Sequence, residues 1–280
     1  MYLFKNRNFL LTLGASLALG VAMFGAVEYI PTYLQMALGV SATVAGLLMI
    51  PMMGVMLVVS IVTGRVVSKS GRYKRYVTSG TAIVALGLFL LSTVTIETPT
   101  WLFCVYLAVM GAGLGMSMQF LTLIVQNAFP VSVVGTATAS NNFFRQVGAT
   151  VGASLVGGLF TSRLTSLISE RMPQQALQSS GSHASSSLTP ELVASLPEPV
   201  HGIIVNAYND ALIPLFLYLV PLGLVSTLLL FFIREDALAT TLETEPAVDI
   251  ARAATGAIPV ITPEMAAKDA EALKLSLIHI

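Results

Sequence analysis

Five stretches of this chain stay apolar long enough to cross a lipid bilayer: 9–34, 44–62, 77–94, 101–125 and 211–233. A hydrocarbon core ~30 Å thick needs ~20 such residues in a helix rising ~1.5 Å per residue. A sixth stretch, 134–160, has the length but carries Asn141, Asn142, Arg145 and Gln146. It counts as a span because lipid offers no partner for backbone N–H and C=O groups, and a helix pairs them internally. The expected fold is an all-α membrane protein with six transmembrane helices in residues 1–234.

Composition agrees. Of 280 residues, 55% are hydrophobic and 10% charged, and the mean hydropathy is +0.82. An ordinary globular domain has ~25% charged residues, so this chain cannot cover a water-facing surface. Soluble enzymes, disordered chains and nucleic-acid binders are excluded on that ground. A single cysteine, Cys104, supports neither a disulfide framework nor a cysteine zinc site. The first apolar stretch continues through Glu28 to Pro31 without a small-residue cleavage site, unlike a signal peptide.

Lysine and arginine set the orientation. Lys5 and Arg7 precede the first span; Arg65, Lys69, Arg72, Lys74 and Arg75 lie between the second and third; Arg234 follows the sixth. Only Arg163 and Arg171 lie on the other side, so both ends of the chain are expected in the cytoplasm. Trp101 then opens its span at the outer interface. The zero net charge is a cancellation: residues 1–234 carry +5 and residues 235–280 carry −5.

Three segments are expected outside the bilayer. Residues 161–210 form an extracytoplasmic loop, Ser/Gln-rich at 174–187, with a short amphipathic helix at 190–195. Residues 235–274 form an acidic, disordered cytoplasmic tail. The last six residues, LSLIHI (275–280), resemble the translation of a sequencing-library adapter and are read as a non-native end.

The strongest local motif is GRVVSKSGRYKR at 64–75. Gly64 and Gly71 permit a tight reversal between adjacent helices, and the basic cluster holds the loop at an anionic inner leaflet. Charge alone marks any cytoplasmic loop. The spacing of Gly64, Gly71, Arg72 and Lys74, with Arg65 inside it, resembles the loop between the second and third helices of each half in the major facilitator superfamily. Ser68 stands where that family usually carries an acid. PTYLQ (31–35), SATVAGLLMIP (41–51), GAGLG (111–115), Gln126-Asn127 and FFRQVG (143–148) are similar to the later part of its fourteen-helix drug/proton antiporters. The resemblance covers about residues 3–235. It implies a half-bundle of two three-helix inverted repeats, the C-terminal half of a bacterial inner-membrane multidrug efflux permease. The N-terminal half would be missing, and Met1 would be an internal methionine of a longer gene.

Within the fifth span, Thr138, Asn141, Arg145, Gly148 and Gly152 recur at steps of three or four and share a helical face, with Asn142 and Gln146 beside them. Gly148 and Gly152 are read as packing glycines, and Gly111 and Gly115 on the fourth span as the matching device. Arg145, ~11 residues into its span, needs protein or water around it. It reads either as a cavity or gating residue or as a structural clamp, with Gln119, Gln126 and Asn127 as expected partners. Glu28, the one acid inside a span, reads either as a proton or cation site or as an interfacial carboxylate.

No span carries a paired aspartate, Ser-His or HExxH arrangement, and His183, His201 and His279 fall in the loop and tail. The expected function is therefore transport rather than catalysis. Small amphipathic substrates would be exported by alternating access, driven by a proton gradient without cofactor or metal. The expected partners are the bilayer and the missing half, with no nucleic acid. The alternative is a six-helix protein that acts only as a paired half-transporter or accessory subunit.

Overall fold

The computed structural model describes residues 3–171, 193 and 200–233, all within one compact unit, 1–239. Among the described residues, eight α-helices follow a short 3-10 turn at Leu3–Lys5: α1 Arg7–Val27, α2 Ile30–Leu38, α3 Ala42–Leu48, α4 Ile50–Ser70, α5 Lys74–Leu91, α6 Thr100–Asn127, α7 Val131–Arg171 and α8 Val200–Phe231. Pairing α1 with α2 and α3 with α4 gives six segments long and apolar enough to span a membrane. This is an all-helical, multi-pass membrane fold.

The two interruptions share a cause. Each falls just before an Ile-Pro step, Ile30-Pro31 or Ile50-Pro51, with proline in the first turn of the following helix. Proline has no N–H for the carbonyl four residues back, and its ring collides with that carbonyl. The chain changes course at Glu28-Tyr29 and at Met49, then resumes with Tyr33 N–H donating to Tyr29 C=O (2.9 Å) and Met53 N–H to Met49 C=O (3.2 Å).

Contact register fixes helix direction. Gly148 and Gly152 of α7 face Leu17 and Val21 of α1 in ascending order, so those two run parallel; Gly111 and Gly115 of α6 face Met52 and Met56 of α4 likewise. Gly80 and Gly87 of α5 meet Met116 and Met110 of α6 in descending order, an antiparallel pair. Gly14 and Gly25 of α1 meet Leu229 and Leu219 of α8, and Thr81 and Ala85 of α5 meet Thr227 and Gly223, both in descending order, so α8 opposes both α1 and α5. Successive spans therefore alternate in direction. Lys5, Arg7, Arg65, Lys69, Arg72, Lys74 and Arg75 all collect at one end, hereafter the basic end.

The pairings repeat. With α1–α2, α3–α4 and α5 as first repeat and α6, α7 and α8 as second, the α1–α7 seam corresponds to α6–α4, the α5–α6 seam to α8–α1, and α5–α8 to itself. Two three-helix units thus interlock across a pseudo-twofold, as half of a major facilitator fold requires. The helices α4 and α7 lie at the edges. In the most apolar window of α3–α4 only 17% is buried, and 28% in α7, against 61% in α1–α2.

The seams rest on close backbone approach, since lipid tails are as apolar as leucine and give helices little hydrophobic reason to associate. A Cβ on Gly148 or Gly152 would strike the carbonyl oxygens of Leu17 or Val21; one on Gly111 or Gly115 would strike those of Met52 or Met56. The two glycine pairs therefore do not match each other, contrary to the sequence expectation. Each meets a different parallel neighbour. At the basic end Phe9, Leu13, Val125, Phe129 and Ala137 form a separate small cluster, with Phe9 edge-on to Phe129 at 5.1 Å.

Two helices outrun the expected spans. At ~1.5 Å per residue, α7 is about 60 Å long, twice the hydrocarbon core. It continues to Arg171, and α8 begins at Val200, so 161–171 and 200–210 are helix rather than loop, and His201 lies in α8. Phe160, Leu164 and Ile168 keep α7 buried on one side at four-residue spacing, as Ile204, Ala207, Tyr208 and Ala211 do for α8. Arg171 and Asp210 join the two extensions at 2.8 Å. Of the expected helix at 190–195 only Val193 is described; it is helical and buried. The segment 174–187, the tail and residues 275–280 lie outside the described residues.

Candidate functional site

The glycine-arginine segment closes α4 and opens α5. Gly71 caps α4 in the left-handed region (φ 67°), its N–H donating to Val67 C=O at 2.8 Å, and a side chain there would be strained. Gly64 does not take part in the reversal. It sits inside α4 with open space where a Cβ would project. Arg72 is exposed, its N–H donating to Ser70 Oγ at 3.4 Å. Lys74, the first residue of α5, places its ammonium 5.6 Å from the Phe231 ring centroid on α8.

Beside this reversal a cleft of about 800 Å³ separates the last turns of α4 and α6. Gly64, Arg65, Ser68 and Lys69 line the α4 side; Gln119, Thr122, Leu123 and Gln126 line the α6 side. The spacing explains the latter set: steps of three or four put them on one helical face. Ser60 donates to Gln119 Oε1 at 2.7 Å and bridges the two helices at the end of the cleft farthest from the basic end. The structure thus brings together Gln119, Gln126, Gly64 and Arg65.

Gln119 is spent on Ser60, and Arg145 makes no side-chain hydrogen bond or ion pair among the described residues. The expected Arg145–Gln119 pairing is therefore absent there. On α7, Asn141 turns inward. It is fully buried and accepts from Ser16 Oγ of α1 at 2.7 Å, while its Nδ2 has no protein partner among the described residues. Arg145 and Asn142 are half-buried and Gln146 is exposed. The Arg145 carbonyl lies against Gly20, where a Cβ would approach it to 2.5 Å, so this residue's backbone belongs to the α1–α7 seam. Beyond Gln146 the outer face of α7 continues with Thr150, Ser154 and Gly158, flanked by exposed Phe143, Val151 and Leu155.

Glu28 caps the C-terminus of α1 at its interruption and is exposed. Beside it, Tyr29 donates to Ala153 C=O (2.8 Å) on α7, and Tyr33 donates to Asn209 Oδ1 (2.8 Å) on α8. Sequence reasoning missed these tyrosine ties, as it missed Ser16 and Ser60. A lone serine in an apolar run reads as a small packing residue. Its partner lies on a helix that spacing cannot identify.

A six-span bundle of two interlocked three-helix units, with a glycine-arginine reversal between its second and third spans, is the architecture of one half of a membrane transporter. The sequence profile of the Major Facilitator Superfamily matches residues 1–153, and the chain belongs to that family, whose members are transporters. Over 233 residues, 83% of this chain, it is 37% identical to an uncharacterized MFS-type transporter of Mycobacterium tuberculosis, covering 33% of that protein. Over 172 residues (61% of this chain) it is 35% identical to the multidrug transporter protein MdtP of Bacillus subtilis, covering 32% of it. A tetracycline resistance determinant of Streptomyces rimosus is 30% identical over 154 residues, 55% of this chain and 44% of that protein. The chain spans about a third of the length of the first two of these relatives.

Proposed function

We propose that this chain is the C-terminal half of a proton-coupled efflux transporter of the fourteen-helix branch. Such a transporter exports drugs or other amphipathic compounds by alternating access across a bacterial inner membrane, with its termini in the cytoplasm. The observation that carries the reading is the pair of uncovered edge helices. On α7, half-buried Arg145 and exposed Gln146, Thr150 and Ser154 occupy a face that lipid would penalise. A second six-helix body across that face would enclose a water-accessible path between hydroxyl, amide and aromatic groups, suited to amphipathic solutes. Relatives named for multidrug transport and tetracycline resistance favour the same substrate class.

The proton gradient supplies the energy and no organic cofactor is needed. Each charge moved through the field is worth ~2.3 kcal/mol per 100 mV, and Glu28, at an exposed helix interruption, is the coupling candidate on this half. The test compares ethidium accumulation in an efflux-deficient bacterium expressing either the full-length gene or this chain alone. The full-length protein should lower accumulation until a protonophore is added, and the chain alone should not. Efflux by the chain alone, or efflux indifferent to the protonophore, contradicts the reading. Full activity in full-length Glu28→Gln removes Glu28 from the coupling.

A further inference from the structure

The α4–α6 cleft is chemically graded along its length. Ile61, Phe120 and Leu123 form apolar walls, while Arg65, Ser68 and Lys69 stand toward the basic end. Arg65 and Lys69 are four residues apart on one helix, so their cations project side by side into the same space. Among the described residues no carboxylate lines the cleft, and the Arg171–Asp210 ion pair joins α7 to α8 instead. Ser68, three residues after Arg65 and next to Lys69 in sequence, lines the same cleft with a neutral hydroxyl.

We propose that this cleft binds one anionic phospholipid, its phosphodiester held between Arg65 and Lys69 and an acyl chain lying along Ile61 and Leu123. The source of the ligand is the bilayer that surrounds a multi-pass protein, and basic pockets between spans are where such headgroups settle. Charge complementarity must come from the side chains. Both α4 and α6 present their C-terminal ends here, and carbonyl dipoles repel an anion. Ser68 and Gln126 supply neutral donors beside the two cations. The site shares α4 with the edge surface invoked for transport, but none of its lining residues belongs to the polar face of α7.

Native mass spectrometry of the purified full chain in detergent provides the test. Dioleoylphosphatidylglycerol is titrated against dioleoylphosphatidylcholine, with inorganic phosphate as competitor. One phosphatidylglycerol should bind at least about tenfold more tightly than phosphatidylcholine, and millimolar phosphate should not displace it. At about fivefold per charge, R65Q/K69Q should lose about 25-fold in affinity, whereas the charge-matched R7Q/R75Q, outside the cleft, should lose little. Ser68→Asp keeps both cations but adds a carboxylate to the cleft lining beside them, and it too should weaken binding. Because Ser68 is exposed, this variant tests the site even where the double substitution disturbs folding. Equal losses in R65Q/K69Q and R7Q/R75Q would reduce the effect to the general surface field and overturn the proposal. So would unaltered binding in Ser68→Asp, absence of preference for phosphatidylglycerol, or displacement by free phosphate, which marks a site for soluble anions.

Discussion

Replacing Gly152 by alanine will force α1 and α7 apart. The added Cβ would lie 2.8 Å from Val21 Cα and 2.9 Å from its carbonyl carbon, and closer still to the oxygen. Comfortable carbon–carbon contact begins at ~3.5 Å, so the helices must separate by about 0.7 Å, and a gap of that size forfeits a quarter to a half of each contact's attraction. The obstacle is backbone in a helix, which cannot rotate aside as a side chain would. Overpacking of this kind costs ~1–3 kcal/mol. Gly148→Ala, one turn earlier, meets Leu17 in the same way, with its Cβ 3.1 Å from the carbonyl carbon. One displacement of α1 relieves both clashes, so the double variant should cost clearly less than the sum of the singles. At Gly54 and Gly158 an added methyl group would meet nothing within 4 Å, and alanine there should be neutral or gain up to ~1 kcal/mol of helix propensity. SDS titration of the detergent-solubilised chain, followed by helical circular dichroism, reads all of these variants on one scale. Gly152→Ala unfolding at the same midpoint as Gly158→Ala, or full additivity of the pair, would refute the seam argument.

Three further outcomes follow from the geometry. Asn141→Ala strands the buried Ser16 hydroxyl and should cost ~1–3 kcal/mol, and a double-mutant cycle with Ser16→Ala should return a coupling of ~0.5–1.5 kcal/mol in the same titration; zero coupling would deny the bond. Pro31→Ala restores a donor for the Val27 carbonyl, so amide hydrogen exchange around Glu28–Tyr29 should slow by up to about tenfold, the equivalent of one backbone hydrogen bond. Asp210→Asn breaks an ion pair whose side chains are 39% and 45% exposed, and the loss should stay below ~1 kcal/mol and vanish in ~1 M salt.

The number of spans was legible in hydropathy, and the gathering of basic residues at one end of the bundle in the placement of lysine and arginine. The extents of α7 and α8 were not, although their signal was present. Phe160, Leu164 and Ile168 continue a helical period through polar sequence that a hydropathy reading ends too early. Partner choice was hidden for a different reason. Gly111, Gly115, Gly148 and Gly152 announce close approach, but whether they meet one another or α4 and α1 depends on how parallel helices are threaded through the bundle. The Ser60–Gln119 contact has the same character: each residue is visible in the sequence, and only the fold makes them neighbours.

The interlocking of the two units has a consequence for how the chain is made. Among the helices described, α1 is the first to enter the bilayer, yet its tightest seam is with residues 148–152, and the bond from Ser226 to Ala15 spans 211 residues. Until those later helices emerge, Ser16 and the glycine-lined side of α1 face lipid or whatever holds nascent spans. Helix α4 waits less, because α6 follows it after one intervening span. Assembly is therefore asymmetric in time even though the finished bundle is nearly symmetric in space: the α4–α6 seam can close once α6 has emerged, whereas α1 waits for α7 and α8.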